Sequence, residues 1–491
     1  MGNDSSTTCL GVGITYSDSV RPLLESRPEL FQVVEVEPQT TWLKLRNATP
    51  SYRVDEEVID RIVATPGRKL VHSIGTPVGG TVRPDAEQLV LLRSTIEILQ
   101  SPWASDHLCF NQTPEFATGF FLPPRQTSEG VRTAVRSIAD LQDALAVPVA
   151  VETGVNYLRP RADEMADGEF VAEVVEEADC GLLLDLHNVF ANALNGRQRL
   201  DDYIDQLPLE RIWEIHLAGG MELDGFWLDA HSGAIPDPLY GFAEKLIPNL
   251  PNLGAIIFEI FPSFVPVVGL DLVRDQMLRL HELWEKRQPS TERKPTLQSR
   301  ISPIVYDGAP PAVWERALGG LVVGRPAEGD LAADLSGEPA IRVIQGLVFE
   351  FRASMIVGAL RMTSRFLMLS LGPKAFRIIL NDYCAKTTPQ MYAGLEAEEF
   401  GAYLRALDLN VPHLAKVVEF ELAAMASVVD DKTRVIHFDF EPIPLLRALA
   451  ESRLPEVIGE AGDYEIAIAS DGPIESSGLN LGEVRGAFPF H

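Results

Sequence analysis

Five histidines recur through the first half of the chain, His72, His107, His187, His216 and His231, accompanied by the carboxylates Glu152, Asp185, Asp229 and Glu259. Imidazole and carboxylate without thiolate make a donor set suited to iron, manganese or zinc rather than magnesium or calcium. A single zinc or iron takes about three or four protein ligands. The eight or nine candidates present here are enough for roughly two or three ions sharing bridging carboxylates. Leaving so many ionisable groups buried and unpaired would cost several kcal/mol each, and bound cations remove that cost. Cys109 follows His107 by two residues and so shares its strand face, where core filling is its expected role. Donor type and spacing leave redox iron and hydrolytic zinc both open.

These side chains need a scaffold that brings them to one place. Apolar runs rich in Val, Ile, Leu and Phe occur at Leu10–Thr15, Phe31–Val36, Lys69–Ile74, Trp103–Phe110, Val147–Glu152, Gly181–Val189, Arg211–Ala218 and Gly254–Phe261. Most are followed closely by Gly, Pro, Asn or Ser, as buried parallel strands are. Amphipathic stretches lie between them, such as Pro84–Gln100 with Leu89, Leu92 and Ile96 on one face, Gly168–Ala178, and Asp271–Lys286. Strand and helix alternating eight times predicts an α/β fold, a (β/α)8 TIM barrel. A doubly wound sheet would offer a glycine-rich phosphate loop after its first strand, and Gly11-Val12-Gly13 opens nothing of that kind. In a TIM barrel the C-terminal strand ends converge on one mouth, where active sites are built. Four of the histidines fall within or at the end of a predicted strand, and His231 falls in the loop after the seventh. Strand alternation puts Asp185 and His187 on one face, and Glu214 and His216 likewise.

The segments His72-Ser73-Ile74-Gly75, Ser105-Asp106-His107-Leu108, Val151-Glu152-Thr153, Leu184-Asp185-Leu186-His187-Asn188, Glu214-Ile215-His216-Leu217-Ala218-Gly219, Asp229-Ala230-His231-Ser232-Gly233 and Phe258-Glu259 resemble, in order, the motifs of the DUF692 family. These are multinuclear non-heme iron-dependent oxidative enzymes, whose best-known member makes methanobactin. The resemblance spans residues 10–285. It implies a TIM barrel and a cluster of two or three irons, mixed Fe(II)/Fe(III), with O2 as co-substrate. Carried over by motif, the ligands would be His72, His107, Glu152, Asp185, Asn188, His216, Asp229, His231 and Glu259. Many relatives carry Asn where this chain has His187, which leaves Asn188 as the expected ligand and His187 as an alternative or as a group orienting Asp185. The implied reaction is an oxygen-dependent, multi-electron oxidation of a ribosomally made precursor peptide, frequently at cysteine, with no separate protein acid or base required. A zinc- or manganese-dependent hydrolase or isomerase on a related barrel is the alternative.

Beyond the barrel segments the pattern changes. Residues 288–300 (QPSTERKPTLQSR) are polar with two prolines and read as a linker. Helical spacing follows at Ala340–Leu360, Phe400–Leu407 and His413–Val429, with strand-like pieces at Arg434–Phe440 and Tyr464–Ala469. The expected organisation is therefore a barrel over residues 1–287, the linker, and a mainly helical α+β C-terminal domain over 301–491. His413 and His437 lack ligand partners nearby in sequence and are expected to be structural. The runs Phe400-Gly401-Ala402-Tyr403-Leu404 and Val411-Pro412-His413-Leu414 through Glu421 resemble the DUF2063-like and methanobactin-partner-like proteins that accompany these oxidases. That implies a fusion of enzyme and partner in one chain, with no separate partner protein needed. The second half would hold the precursor's leader segment, for instance along the edge of Arg434–Phe440.

Composition narrows the field. The chain has 491 residues, 46% hydrophobic and 23% charged, which is ordinary globular composition. Its net charge of −28 repels phosphate backbones, so nucleic acid is not an expected partner. Four scattered cysteines, Cys9, Cys109, Cys180 and Cys384, form no disulfide framework and suggest a reducing, cytoplasmic setting. Met1–Thr8 carries neither a basic nor an apolar stretch, so no secretory signal is expected. No apolar run approaches the ~18 residues of a membrane span.

Overall fold

The computed structural model describes residues 9–46, 51–288, 305–407, 409–457, 459–469 and 472–473. Eight parallel strands close into a barrel: β1 (Gly11–Thr15), β2 (Val33–Val36), β3 (Arg68–Ser73), β4 (Ala104–His107), β5 (Val149–Glu152), β6 (Gly181–Asp185), β7 (Ile212–Ala218) and β8 (Ala255–Glu259). Each pairs with its neighbour in sequence, and β8 returns to β1. All eight apolar runs supply a strand, as their Val, Ile and Leu content dictates. Strand interiors are buried on both sides, since the helices cover the outer face. Burying each Val, Leu or Ile contributes roughly 1.5–3 kcal/mol. Leu10, Val33, Leu70, Trp103, Ala150, Ala255 and Ile257 fill one layer of the interior.

Helices follow most strands, among them Ala86–Leu99, Ser128–Ala144, Asp167–Glu177, Asp237–Leu246 and Leu270–Trp284. Their starts are locally encoded: Asp85 accepts the Glu87 N–H, and Thr127 accepts the Gly130 N–H. One start differs from expectation. The run Gly181–Val189 does not stay extended. It becomes a helix, Leu186–Leu194, because the Asp185 side chain accepts the Asn188 N–H and caps it. His187 therefore does not share a strand face with Asp185. Glu214 and His216 do lie on one face of β7, as alternation requires.

Compactness divides the chain into two units. The first comprises the barrel and continues to Ile344, so the division lies there rather than at residue 301, where the change of pattern predicts it. Helix Pro311–Val322 explains the difference. Its Trp314 is buried, donates its indole N–H to Pro123 O, and lies under the Arg125 guanidinium at 5.0 Å. Glu315 of the same helix accepts the Thr81 N–H. The linker expected at 288–300 lies, apart from Gln288, outside the described residues.

The second unit joins residues 345 onward to two earlier segments, Thr40–Glu57 and Phe116–Phe120. Helices Arg361–Leu371, Pro373–Lys386, Ala393–Ala406 and Leu414–Asp430 enclose a core that includes Leu43 and Leu45 from the first of those segments. Gly394 permits that contact: a Cβ there would sit 2.5 Å from Lys44 O. Strands β9 (Arg434–Phe440) and β10 (Ala461–Ala469) pair antiparallel, and among the described residues β9 lies at the sheet edge. His413 lies against Phe440 with ring centres 3.8 Å apart, and His437 pairs with Glu465 at the surface. Among the described residues no single helix is long and apolar enough to cross a membrane.

Candidate metal centre

Strand register assembles the donors. His107 on β4 lies beside Glu152 on β5, and Asp185 on β6 beside His216 on β7. His72 ends near the same point of β3, and Glu259 closes β8. His231 and Asp229 reach the mouth from the loop after β7. His231 takes φ 42° to do so, a left-handed backbone uncommon outside glycine and found mainly where surrounding structure enforces it.

Ligand-type atoms fall into overlapping groups, each within 4.8 Å: His72, His107 and Glu152; Glu152, Asp185 and His216; Asp185, His231 and Glu259; and Glu35, Glu214 and His216. Glu152 and Asp185 each belong to two groups, the position of a bridging carboxylate. Glu152 Oε2 lies 2.9 Å from His107 Nε2 and 3.2 Å from His72 Nε2. His216 Nδ1 lies 3.2 Å from Glu259 Oε1 and 3.9 Å from Glu152 Oε1. His231 Nε2 lies 2.8 Å from Asp229 Oδ1 and 3.5 Å from Glu259 Oε2. Short as these contacts are, many lack hydrogen-bond alignment. His107 Nδ1, Glu152 Oε2, Asn188 Oδ1, Glu214 Oε1, His216 Nδ1, His231 Nε2 and Glu259 Oε2 are all buried without a hydrogen-bond partner. So many orphaned polar atoms in one place run against the rule that buried polar groups are satisfied. Lone pairs converging on shared points are what metal ions require, and the donor set fits such ions.

Electrostatics point the same way. Burial opposes charge on His216, but Glu259 and Glu35 outweigh it and hold the imidazole well above its ordinary range. His107 is likewise held well above it, burial being outweighed by Glu152 and Asp106. His231 reaches about 10 because Asp229 and Glu259 overcome burial. Glu152 is held well below the usual carboxylate range, burial being overcome by His107 and His72. Asp185 behaves oppositely: burial and then the charges of Glu259, Asp229 and Glu152 push it well up. The imidazoles therefore leave the centre short of positive charge at Asp185, between two of the groups.

Asn188 donates Nδ2–H to Asp185 Oδ2 at 2.9 Å and keeps Oδ1 unpartnered. Neither His187 nor Asp229 belongs to one of the groups, and the two contact each other, Nδ1 to Oδ1 at 3.0 Å; Asp229 meets the centre through His231 Nε2 at 2.8 Å. Cys109 is buried outside the groups, and burial pushes its thiol well up. Sequence reasoning missed Glu35, which accepts Thr15 Oγ1–H and lies 3.1 Å from His216 Nε2, and which burial pushes up to about 7. It passed over Glu214, held by the Trp103 indole N–H at 3.1 Å, as anything beyond a face-mate of His216. The signal was a glutamate inside the otherwise apolar run Val33-Val34-Glu35-Val36.

Fold and site define the class: a TIM barrel with an imidazole–carboxylate centre at the C-terminal mouth. Within it, the chain belongs to the family described as RiPP precursor modification enzyme MbnB/TglH/ChrH, whose model matches residues 11–261. It is 30% identical over 220 residues to a UPF0276 protein of Chromobacterium violaceum, covering 45% of this chain and 80% of that one. It is 31% identical over 240 residues to a UPF0276 protein of Streptomyces avermitilis, covering 47% of this chain and 49% of that one. The chain thus spans about half the length of the S. avermitilis relative. Among solved structures, a xylose isomerase domain protein from Planctomyces limnophilus aligns over 57% of this chain and 98% of its own, at 12% identity and a TM-score of 0.39. The family match ends well before Gln345, where the C-terminal part of the second unit begins.

Proposed function

We propose that this protein oxidatively modifies a ribosomally synthesised precursor peptide, at cysteine or another core residue, in an iron- and O2-dependent reaction. The set of buried, unpartnered donors at the barrel mouth carries this reading. His72, His107 and Glu152 would hold one iron, Glu152, Asp185 and His216 a second, and Asp185, Glu259 and His231, with Asp229 and Asn188, a third. Bound irons supply a Lewis acid for the substrate heteroatom and electrons for reducing dioxygen. The protein's own share is positioning and exclusion of water. His107 and His231 are each 14% exposed and Asp229 18%, while His72, Glu152, Glu259 and His216 are 6% or less. A substrate side chain therefore meets the centre at those three residues. Phe121 stacks on His107 at 4.2 Å and Phe261 lies against His231 at 4.6 Å, giving each exposed imidazole an apolar neighbour.

The second unit is the proposed leader-binding module, fused so that no separate partner protein is needed. β9 supports this, since among the described residues its outer edge pairs with no other strand and could offer backbone groups to an added peptide strand. The −28 charge favours a peptide over nucleic acid, and four free cysteines suit a cytoplasmic enzyme. The test is anaerobic loading of the full chain with Fe(II), metal analysis, and oxygen uptake with a short peptide encoded beside it, read by mass. Two or three irons per chain with peptide-dependent oxygen uptake and a mass change support the reading. Full occupancy by zinc with no oxygen uptake refutes it in favour of a hydrolase or isomerase.

A further inference from the structure

We infer that His187 and Trp227 form a hydrogen-bonded relay that fixes the Asp229 carboxylate at the metal centre, so that His187 is a positioning residue and not a ligand. The inference rests on the metal centre proposed above and assigns roles within it. An indole N–H can only donate. Trp227 Nε1 lies 3.1 Å from His187 Nε2, so that nitrogen is the acceptor and the ring proton sits on Nδ1. Nδ1–H then donates to Asp229 Oδ1 at 3.0 Å. Both imidazole nitrogens are engaged, and neither is left for a metal. Asp229 is also held through its backbone, whose N–H donates to the Tyr157 hydroxyl at 3.1 Å. Side chain and main chain of the same residue are thus fixed from different elements.

The far end of the relay is anchored as firmly. Trp227 sits in the hairpin Met221–Leu223/Phe226–Leu228. Asn195, just beyond the helix that carries His187, accepts the Trp227 N–H at 2.8 Å and donates to Trp227 O at 2.9 Å. Gly220 leaves the space the pair needs, because a Cβ there would lie 2.3 Å from Trp227 Nε1 and 2.6 Å from His187 Nε2. His187 itself is wholly buried. Partners that hold a ligand's orientation commonly govern affinity by about 10–100-fold, which is the size of effect expected here.

Trp227→Phe keeps an aromatic six-membered ring and removes the N–H donor together with the pyrrole half of the indole; His187→Ala removes the relay; His187→Gln retains a group able both to accept and to donate. The full chain is titrated anaerobically with Fe(II), and bound metal, its Mössbauer spectrum and the thermal midpoint are recorded. The relay predicts that Trp227→Phe and His187→Ala weaken one iron by about 10–100-fold, alter the spectrum of that iron alone, and leave the remaining irons bound. His187→Gln should recover most of the loss, and the midpoint of Trp227→Phe should stay within about 2 °C of the parent. Normal loading in Trp227→Phe with loss in His187→Ala would make His187 a ligand and overturn the relay. Parent-like loading in both variants would overturn the relay while leaving the centre standing. A parent chain that takes up no metal would overturn the centre and the relay together.

Discussion

Replacing His216 by Ala tests the electrostatic logic of the centre most directly. This imidazole is wholly buried among four carboxylates: Glu259 at 3.2 Å, Glu35 at 3.1 Å, Glu214 at 3.6 Å and Glu152 at 3.9 Å. Without metal it is the cation that holds them together. A single contact at about 3.2 Å with an effective dielectric near 20 has a gross attraction of roughly 5 kcal/mol. Removing one member of a buried ion pair costs about 3–5 kcal/mol net. For a unit of roughly 320 residues each kcal/mol moves the melting midpoint by about 1.5 °C, so the metal-free variant should melt roughly 4–8 °C lower. His216→Gln fills most of the same volume without the charge. It should lose nearly as much if charge compensation dominates, and less than half as much if the cavity does. Iron adds a second readout: the parent should gain about 2.7 kcal/mol when free metal stands at 100 times Kd, and both variants should gain less. Scanning calorimetry of metal-free and iron-loaded chains, with metal analysis of the same samples, measures all of this. A metal-free His216→Ala midpoint within about 2 °C of the parent, together with unchanged metal content, would refute the reasoning.

Other outcomes follow from neighbouring features. Arg197 is buried and pairs with Asp167 and Glu164 while donating to Gln126 and Leu158 O; Arg197→Met should cost about 3–5 kcal/mol, and a calorimetric loss under 1 kcal/mol would contradict it. Arg352 is paired with Glu396 in the core of the second unit at 2.8 Å, and Arg352→Met should destabilise that unit by a similar amount, read by chemical denaturation. Glu421 accepts the N–H groups of Met362 and Thr363 at the start of helix Arg361–Leu371, and burial pushes it up to about 7. Its folded state binds the proton more tightly than the unfolded chain, so stability should fall as pH rises from about 4.5 to about 7. Glu421→Gln should flatten that slope in melts across the window, and an unchanged slope would remove Glu421 as its source.

Much of the barrel could be read from the chain because buried parallel strands demand uninterrupted Val, Ile and Leu, and each such run forms one. The donors could be read because a charged residue at the end of such a run is conspicuous. What escaped did so for physical reasons. The Asp185–Asn188 cap ends β6 inside an apolar run whose composition suits strand and buried helix equally. Trp227 carries no charge, and its part depends on a hairpin contact across 40 residues. Helix Pro311–Val322 has an ordinary helical pattern, and only tertiary packing of Trp314 assigns it to the barrel unit. Glu35 sits mid-strand, where an isolated acid resembles an exposed edge residue until the barrel closes around it.

The interleaved second unit has a consequence for how the chain is made. Its strand Trp42–Lys44 leaves the ribosome early, yet the helix that covers it, Ala393–Ala406, comes about 350 residues later. At about 5–20 residues per second, Leu43 and Leu45 wait roughly 20–70 s for their cover. During that interval the nascent barrel must tolerate an apolar hairpin without its lid, which makes this stretch a natural client for a chaperone. Separate expression of residues 345–491 would likewise yield helices missing part of their own interior.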